Sequence, residues 1–424
     1  MRLLLYNLIL GLLAPIARWW LQRQPKYTAQ LARFAPDIPV DKTGALWLQV
    51  CSLGEVNAAR PLVEAIRAEI PECPLLISTS TGSGQERARE LYGEEHVTWF
   101  PFDTSTAVRC FLEALQPKAL ILFETELWPN VLANCKTRGI PVLLANGRLS
   151  DKHQSRYARY RFWYGPLVRE LTTACMQDPR YAKRLEALGV SSSRIHVTGN
   201  IKFDAVSTAI APRERQRLRT LWGLRDEEKV LLFASTRPGD EDLASACWAT
   251  LREEFPHLKL VLAPRHLERV QEAVSPFSET VVLRSALRQH EGQRAARVYV
   301  LDTLGELSAF FGVANVVVMG GSFYAGVNGH NPLEAAALGV PTVFGPYMSN
   351  FEEAAWVLVA AGGSTQVSCP EDLYLTLSTL LGDPARQRQM GTAARRTVLD
   401  NQGAVGQTVA HIKALLPKVD EGHA

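Results

Sequence analysis

Glu55 lies in Cys51-Ser-Leu-Gly-Glu-Val56, directly after an apolar run, Ala45 to Val50, that reads as a β-strand, and at the start of a helical pattern. A carboxylate in that position can take a proton from a hydroxyl within hydrogen-bond reach. It can equally be a first-turn glutamate that only complements the helix dipole. In Phe123-Glu-Thr-Glu-Leu-Trp-Pro129, Glu124 and Glu126 follow a second apolar run, Ala119 to Phe123. Two acids there orient a substrate or support charge in a transition state, or else cap the helix expected from Pro129. Thr81-Gly-Ser-Gly84 follows the run Leu75 to Thr79 and can hold an anion on backbone amides, although a lone glycine-rich turn specifies little.

The second half carries more such points. Pro264-Arg265-His266 ends the run Leu260 to Ala263, which sets a guanidinium beside any phosphate bound there. Gly305-Glu306-Leu307 opens a helix whose first amides favour an anion or a polar ligand edge. Gly320-Gly321-Ser322 follows the run Val316 to Met319, and its glycines permit close approach of a ligand. In His330-Asn331-Pro332-Leu333-Glu334 a further helix starts, and Glu334 there can accept two hydrogen bonds from a ribose diol. Each alone can be ordinary capping; four at successive strand ends point to a ligand site.

The elements that position these residues alternate. Runs at Ala45 to Val50, Leu75 to Thr79, Val97 to Phe102, Ala119 to Phe123, Val142 to Ala145, Ala174 to Met176 and Ile195 to Thr198 read as strands, with helical stretches such as Ala58 to Ile70 and Thr106 to Leu115 between them. After a polar stretch, Ser207 to Arg219, the alternation restarts with Val230 to Ala234, Leu260 to Ala263, Val281 to Leu283, Val298 to Leu301, Val316 to Met319 and Thr342 to Phe344. The pattern predicts an α/β chain of two doubly wound parallel-sheet domains facing a cleft, with ligands at the carboxyl ends of the strands. The expected division is an anchor and linker at 1–40, a first domain at 41–205 and a second at 206–424.

The 424 residues are 47% apolar and 21% charged, which excludes a disordered or fibrous chain. A formal net charge of +3, from 46 basic and 43 acidic residues, is too small for a global nucleic-acid footprint, and no nucleic-acid partner is expected. The seven cysteines contain no C-x-x-C, so neither a disulfide framework nor a zinc site is indicated. The nine histidines have no ligand spacing, and Asp240-Glu241-Asp242 suits the head of a helix better than a metal, so no metal is expected.

The N-terminus departs from this soluble pattern. Leu3 to Ala17 is apolar apart from Asn7, and Arg18, Trp19 and Trp20 follow. Fifteen residues fall short of the ~20 that span a bilayer, and extension to the tryptophans nearly closes the gap, so spanning and interfacial placements both stand. A buried amphipathic helix and a cleaved signal are the rivals, the latter weakened by the lack of a small-x-small site. Arg18, Arg23, Lys26 and Arg33 after the run would keep the rest of the chain cytoplasmic. Farther on, Arg148, Lys152, His153, Arg156, Arg159 and Arg161 lie among Tyr157, Tyr160, Phe162, Trp163 and Tyr164. That stripe suits anionic lipid head groups or a phosphorylated acceptor, with a solvated helix face and a nucleic-acid patch as alternatives.

Six segments in order, Ser52-Leu-Gly-Glu55, Glu124-Thr-Glu-Leu-Trp-Pro129, Gly199-Asn-Ile-Lys-Phe-Asp204, Ala263-Pro-Arg-His266, Asp302-Thr-Leu-Gly-Glu306 and Gly329-His-Asn-Pro-Leu-Glu334, resemble the Kdo (3-deoxy-D-manno-octulosonic acid) transferases of lipid A assembly, which are GT-B glycosyltransferases. The resemblance covers nearly the whole chain. It implies that Glu55 is the catalytic base, and that Glu124 and Lys202 help to stabilise the transition state. It further implies that Pro264, Arg265, Gly305, Glu306, Leu307, Asn331, Pro332, Leu333 and Glu334 bind the CMP part of CMP-Kdo. The implied reaction is inverting transfer of Kdo to a lipid A precursor (lipid IVA), without a cofactor, at the cytoplasmic face of the Gram-negative inner membrane. Another GT-B nucleotide-sugar transferase or epimerase, and a non-catalytic membrane adaptor, are the alternatives.

Overall fold

The structure is a computed structural model that describes residues 2–149, 155, 157, 159, 161–287 and 296–416. Its chain forms two compact units, one of Met1–Ala205 with Asn401–Ala424 and one of Val206–Asp400. Strands β1 (Leu46–Gln49), β2 (Leu75–Thr79), β3 (Val97–Trp99), β4 (Ala119–Phe123), β5 (Val142–Gly147), β6 (Thr173–Met176) and β7 (Ile195–Val197) make the first sheet, in the order β3-β2-β1-β4-β5-β6-β7. All its pairs are parallel. The central strands are buried along their whole length and are mostly apolar because helices cover both faces.

The second unit holds β8 (Lys229–Thr236), β9 (Leu258–Pro264), β10 (Val281–Leu283), β11 (Val298–Val300), β12 (Val316–Met319), β13 (Thr342–Phe344) and β14 (Ser364–Gln366). Their order is β10-β11-β9-β8-β12-β13-β14, again parallel, with an apolar cluster on each face. The doubly wound class is therefore as the alternation predicts. In each sheet the strand order reverses once, between β1 and β4 and between β8 and β12, the two places where such sheets open for ligands.

Three local readings differ from the structure. The helix read at Ala58 to Ile70 is Arg60–Glu69, and a separate helix, Leu53–Ala58, precedes it, the break coming just before Pro61, which has no amide hydrogen to continue the first ladder. β14 was not expected, since Ser-Thr-Gln is polar and too short to show a period. The second domain does not run to 424: helix Ala404–Leu415 buries Ala404, Val409 and Ile412 among Leu46, Ile77 and Ile121 of the first unit. Asp204 holds that helix by accepting the amides of Gly403 and Val405 at 2.6 and 2.8 Å.

The N-terminal segment is a single helix, Arg2–Gln22, long and apolar enough to cross a membrane by length and composition. It is not a buried amphipathic helix: Leu4, Leu8, Leu12 and Ile16 are each more than 60% exposed. Arg33, by contrast, is buried under Phe102 and donates to the carbonyls of Phe100 and Ser80 at 3.0 and 3.2 Å, so it belongs to the interior and not to the basic flank of the apolar run.

Candidate active site

In the first unit, the β1 and β4 ends flank the point where strand order reverses, and they carry Glu55 and Glu124. Ser52 caps helix Leu53–Ala58, its hydroxyl accepting the Glu55 amide at 3.4 Å. Glu55 folds back, accepting the Cys51 amide at 2.8 Å on Oε2 and the Ser52 hydroxyl at 3.3 Å on Oε1. This exchange is close to a capping box, the arrangement of a first-turn glutamate. Burial, together with the charges of Glu124 and Glu126, pushes the Glu55 carboxyl up to about 8, against the pull of the Cys51 amide. A carboxylate of that basicity is matched to proton abstraction near neutral pH.

Glu124 occupies the left-handed region at φ +59°, rare for a side chain of its size, and it is pinned there by its amide bond to the Ala145 carbonyl at 2.9 Å. Its Oε1 lies 3.5 Å from Lys202 Nζ, with both side chains about one-fifth exposed. Lys202 comes from the short turn Ile201–Phe203, which is held by Asn146: Oδ1 accepts the Ile201 amide at 3.0 Å. Asn146 is fully buried at the end of β5, also left-handed at φ +52°, and its Nδ2 has no hydrogen-bond partner among the described residues. In the sequence, Asn146 is marked only as an asparagine directly after an apolar run.

Glu126 accepts the Trp128 indole N–H at 2.8 Å, and burial raises its carboxyl. The Cys51 thiol and the Glu55 and Glu126 carboxylates offer ligand atoms within 4.8 Å of one another, a cation-sized cluster that sequence spacing did not reveal. Burial and the two acids push the Cys51 thiol up to about 12, so it stays protonated and is no nucleophile. Thr81-Gly-Ser-Gly84 has a packing role: a Cβ on Gly84 would meet the Cys51 carbonyl at 3.1 Å, and Thr81 Oγ1 donates to that carbonyl at 3.2 Å. Of the basic stripe, Lys152, His153, Arg156 and Tyr160 lie outside the described residues.

In the second unit, Asp240 ties the two loops at the β8/β12 reversal. Its Oδ2 accepts the amides of Arg237 at 2.8 Å and Gly321 at 2.7 Å. Gly320 packs against protein backbone and not an open ligand face: a Cβ there would lie 2.6 Å from the Ser235 carbonyl. Asp240-Glu241-Asp242 does begin helix Asp240–Glu254, and Glu241 is bonded by Thr236 and Arg269.

Arg237, which no sequence motif marks, forms the centre of a cationic group. Its Nη1 lies 2.7 Å from His266 Nε2, and its Nε donates to His330 Nε2 at 3.3 Å. Burial and the nearby Arg237, Arg265 and His266 push His330 down to about 4, leaving it neutral and able to accept that bond. Arg265 is exposed, and its amide bonds the Thr236 carbonyl at 3.1 Å, which joins Pro264 and Arg265 to the Arg237 strand end. This group can meet a phosphate or carboxylate.

The Gly305 and Asn331 segments also meet. Ser308, next to Leu307, donates to Glu334 Oε2 at 2.7 Å, while Glu334 Oε1 accepts Asn331 Nδ2 at 3.4 Å. Asn331 Oδ1 takes the Leu333 amide at 3.1 Å, and Pro332 precedes the helix Leu333–Ala337. Glu306 turns inward to Arg284 at 2.8 Å and to Thr303, so in this segment the backbone around Gly305 (φ +81°) is what remains for a ligand. Glu55, Glu124 and Lys202 thus stand together in the first unit; in the second, Pro264 and Arg265 close β9, Gly305 to Leu307 follow β11, and Asn331 to Glu334 open the helix Leu333–Ala337.

Comparison with known proteins gives likenesses of three kinds. A family profile for 3-deoxy-D-manno-octulosonic-acid transferase (kdotransferase) matches residues 20–205. The 3-deoxy-D-manno-octulosonic acid transferase of Bordetella pertussis is 30% identical over 428 residues, covering 95% of this chain and 97% of that one, and the Haemophilus influenzae protein of the same name is 28% identical over 93% of each chain. In fold, the chain is similar to a UDP-GlcNAc 2-epimerase of Neisseria meningitidis, with a TM-score of 0.58 at 13% identity over 87% of this chain and 100% of that one.

Proposed function

The chain belongs to the 3-deoxy-D-manno-octulosonic acid transferase family, and from this membership we propose that it moves Kdo from CMP-Kdo to a lipid A precursor, lipid IVA, in lipopolysaccharide synthesis. The observation that carries the proposal is Glu55, half-buried, bonded to the Cys51 amide and raised to about 8 by burial and its acidic neighbours.

The proton of an acceptor hydroxyl passes to a Glu55 carboxylate oxygen as that hydroxyl oxygen bonds to the anomeric carbon of Kdo. The bond from that carbon to the phosphate oxygen breaks, and its electron pair leaves with CMP. Direct displacement with one base inverts the anomeric carbon. Lys202 and Glu124 support the oxocarbenium-like transition state from their paired position. Pro264, Arg265, Gly305 to Leu307 and Asn331 to Glu334 take the nucleotide, with Glu334 on the ribose diol. Arg265 and Arg237 meet the phosphate charge, so the reaction as proposed needs no cofactor.

Helix Arg2–Gln22 associates the enzyme with the inner membrane at its cytoplasmic face, where a lipid acceptor is found. The test is Glu55→Ala with CMP-Kdo and a tetraacylated lipid A precursor, read by product mass: transfer is lost while CMP binding persists. Retained turnover would remove Glu55 as the base.

A further inference from the structure

We infer that helix Arg2–Gln22 lies in the plane of an anionic bilayer surface, half-submerged, and does not cross the membrane. This rests on the membrane association proposed above and specifies its geometry. Tyr6 donates its hydroxyl to Asp103 Oδ2 at 2.8 Å, and Asn7 Oδ1 accepts from Asn130 Nδ2 at 2.7 Å. Leu3, Tyr6, Asn7, Leu10 and Ala14, at the spacing of one helix face, are partly covered. The opposite face presents Leu4, Leu8, Leu12 and Ile16.

The bonds at residues 6 and 7 decide the orientation. At 1.5 Å per residue, they lie about 20 Å along the axis from Trp20. Were the helix upright, with Trp20 at the interface, Asp103 and Asn130 would be carried deep into hydrocarbon. Asp103 also accepts the amides of Asn130 and Val131, so the first turn of helix Pro129–Thr137 would go with it. Polar side chains and open backbone at that depth are strongly disfavoured. Lying flat, the helix keeps both bonds and still buries its leucines.

The lipid is identified by charge and by aromatic flanks. None of the first 36 residues is acidic, while Arg18, Arg23 and Lys26 are exposed beside exposed Trp19 and Trp20. That combination suits anionic head groups. The placement has a consequence for access. Asn130 stands four residues after Glu126, so the tether fixes the acidic motif close to the membrane surface and lets a lipid acceptor reach it from the bilayer.

The test uses the full chain with Cys110→Ser and Cys369→Ser, reconstituted in phosphatidylethanolamine–phosphatidylglycerol vesicles. Nitroxides are placed through Leu4→Cys, Leu8→Cys, Leu12→Cys and Ile16→Cys, and depth is read from relaxation by oxygen and by a nickel chelate. The expected result is one shallow depth at all four sites. A depth that passes through a maximum, with Leu4→Cys emerging on the far side, overturns the inference while leaving membrane association intact. Failure to bind vesicles, with a concentration-dependent dimer in solution, assigns the face to a second copy and sinks both. Tyr6→Phe with Asn7→Leu should turn the flat profile into a graded one and lower transfer to vesicle-embedded acceptor, with CMP-Kdo binding unchanged. A flat profile in that double variant would also overturn the tether.

Discussion

At the Glu55 carboxyl, burial and the charges of Glu124 and Glu126 oppose ionisation, and the Cys51 amide favours it. The balance near 8 has consequences of opposite sign for activity and stability. The base must be deprotonated, so kcat/KM should rise with pH and level off above about 8. Glu124→Gln removes the larger of the two charge effects, so its limb should move to lower pH even where the plateau falls. An unmoved limb would mean that another group sets it. For stability, a carboxyl raised from 4.5 to about 8 favours the fold below 4.5 and loses that contribution as pH climbs through 8. Glu55→Gln should therefore abolish transfer yet raise the melting temperature at pH above about 8 relative to the parent chain, and have less effect in mild acid.

The loops at the strand ends are set by close backbone approaches. Gly320 is one: with the Ser235 carbonyl 2.6 Å and Asp240 Oδ2 2.8 Å from a Cβ position, Gly320→Ala must part the β8 and β12 ends. A cost of roughly 1–3 kcal/mol is expected, as for overpacked cores. It should appear as a lower melting temperature together with weaker CMP binding, because Arg237 is tied to the same loops through Asp240. Asn146 is the counterpart in the first unit. Asn146→Ala frees the turn that carries Lys202, so kcat should fall while CMP affinity stays, as measured by calorimetric titration alongside turnover.

The chain passes from the first unit to the second and returns, and its last described helix completes the first unit's core. A chain ended at Asp400 loses Ala404, Val409 and Ile412 from that core, where burying a valine or isoleucine side chain contributes on the order of 1.5–3 kcal/mol. Against a total stability of about 5–15 kcal/mol, that loss is severe. Calorimetry should show the first unit's unfolding shifted far down or gone, with CMP binding by the second unit retained. Equal loss in both would show that the helix supports the whole chain.

Much of this is legible in the sequence alone. Apolar runs of strand length alternating with helical patterns determine two parallel sheets, because strands covered on both faces have no polar alternation to hide them. Glycines, prolines and acids directly after those runs mark the ends where chemistry sits, and the six ordered segments carry the family. What the sequence left open depends on partners far apart in the chain. Arg237 matters because His266 and His330 fold onto it, Asn146 because Ile201 does, and Arg33 because Phe100 and Phe102 enclose it. Tyr6 and Asn7, two polar residues in an apolar helix, acquire meaning only from Asp103 and Asn130. Local periodicity reports which face of an element is buried, but a hydrogen bond or a shifted proton affinity depends on which distant group shares the burial, and only the tertiary structure decides that.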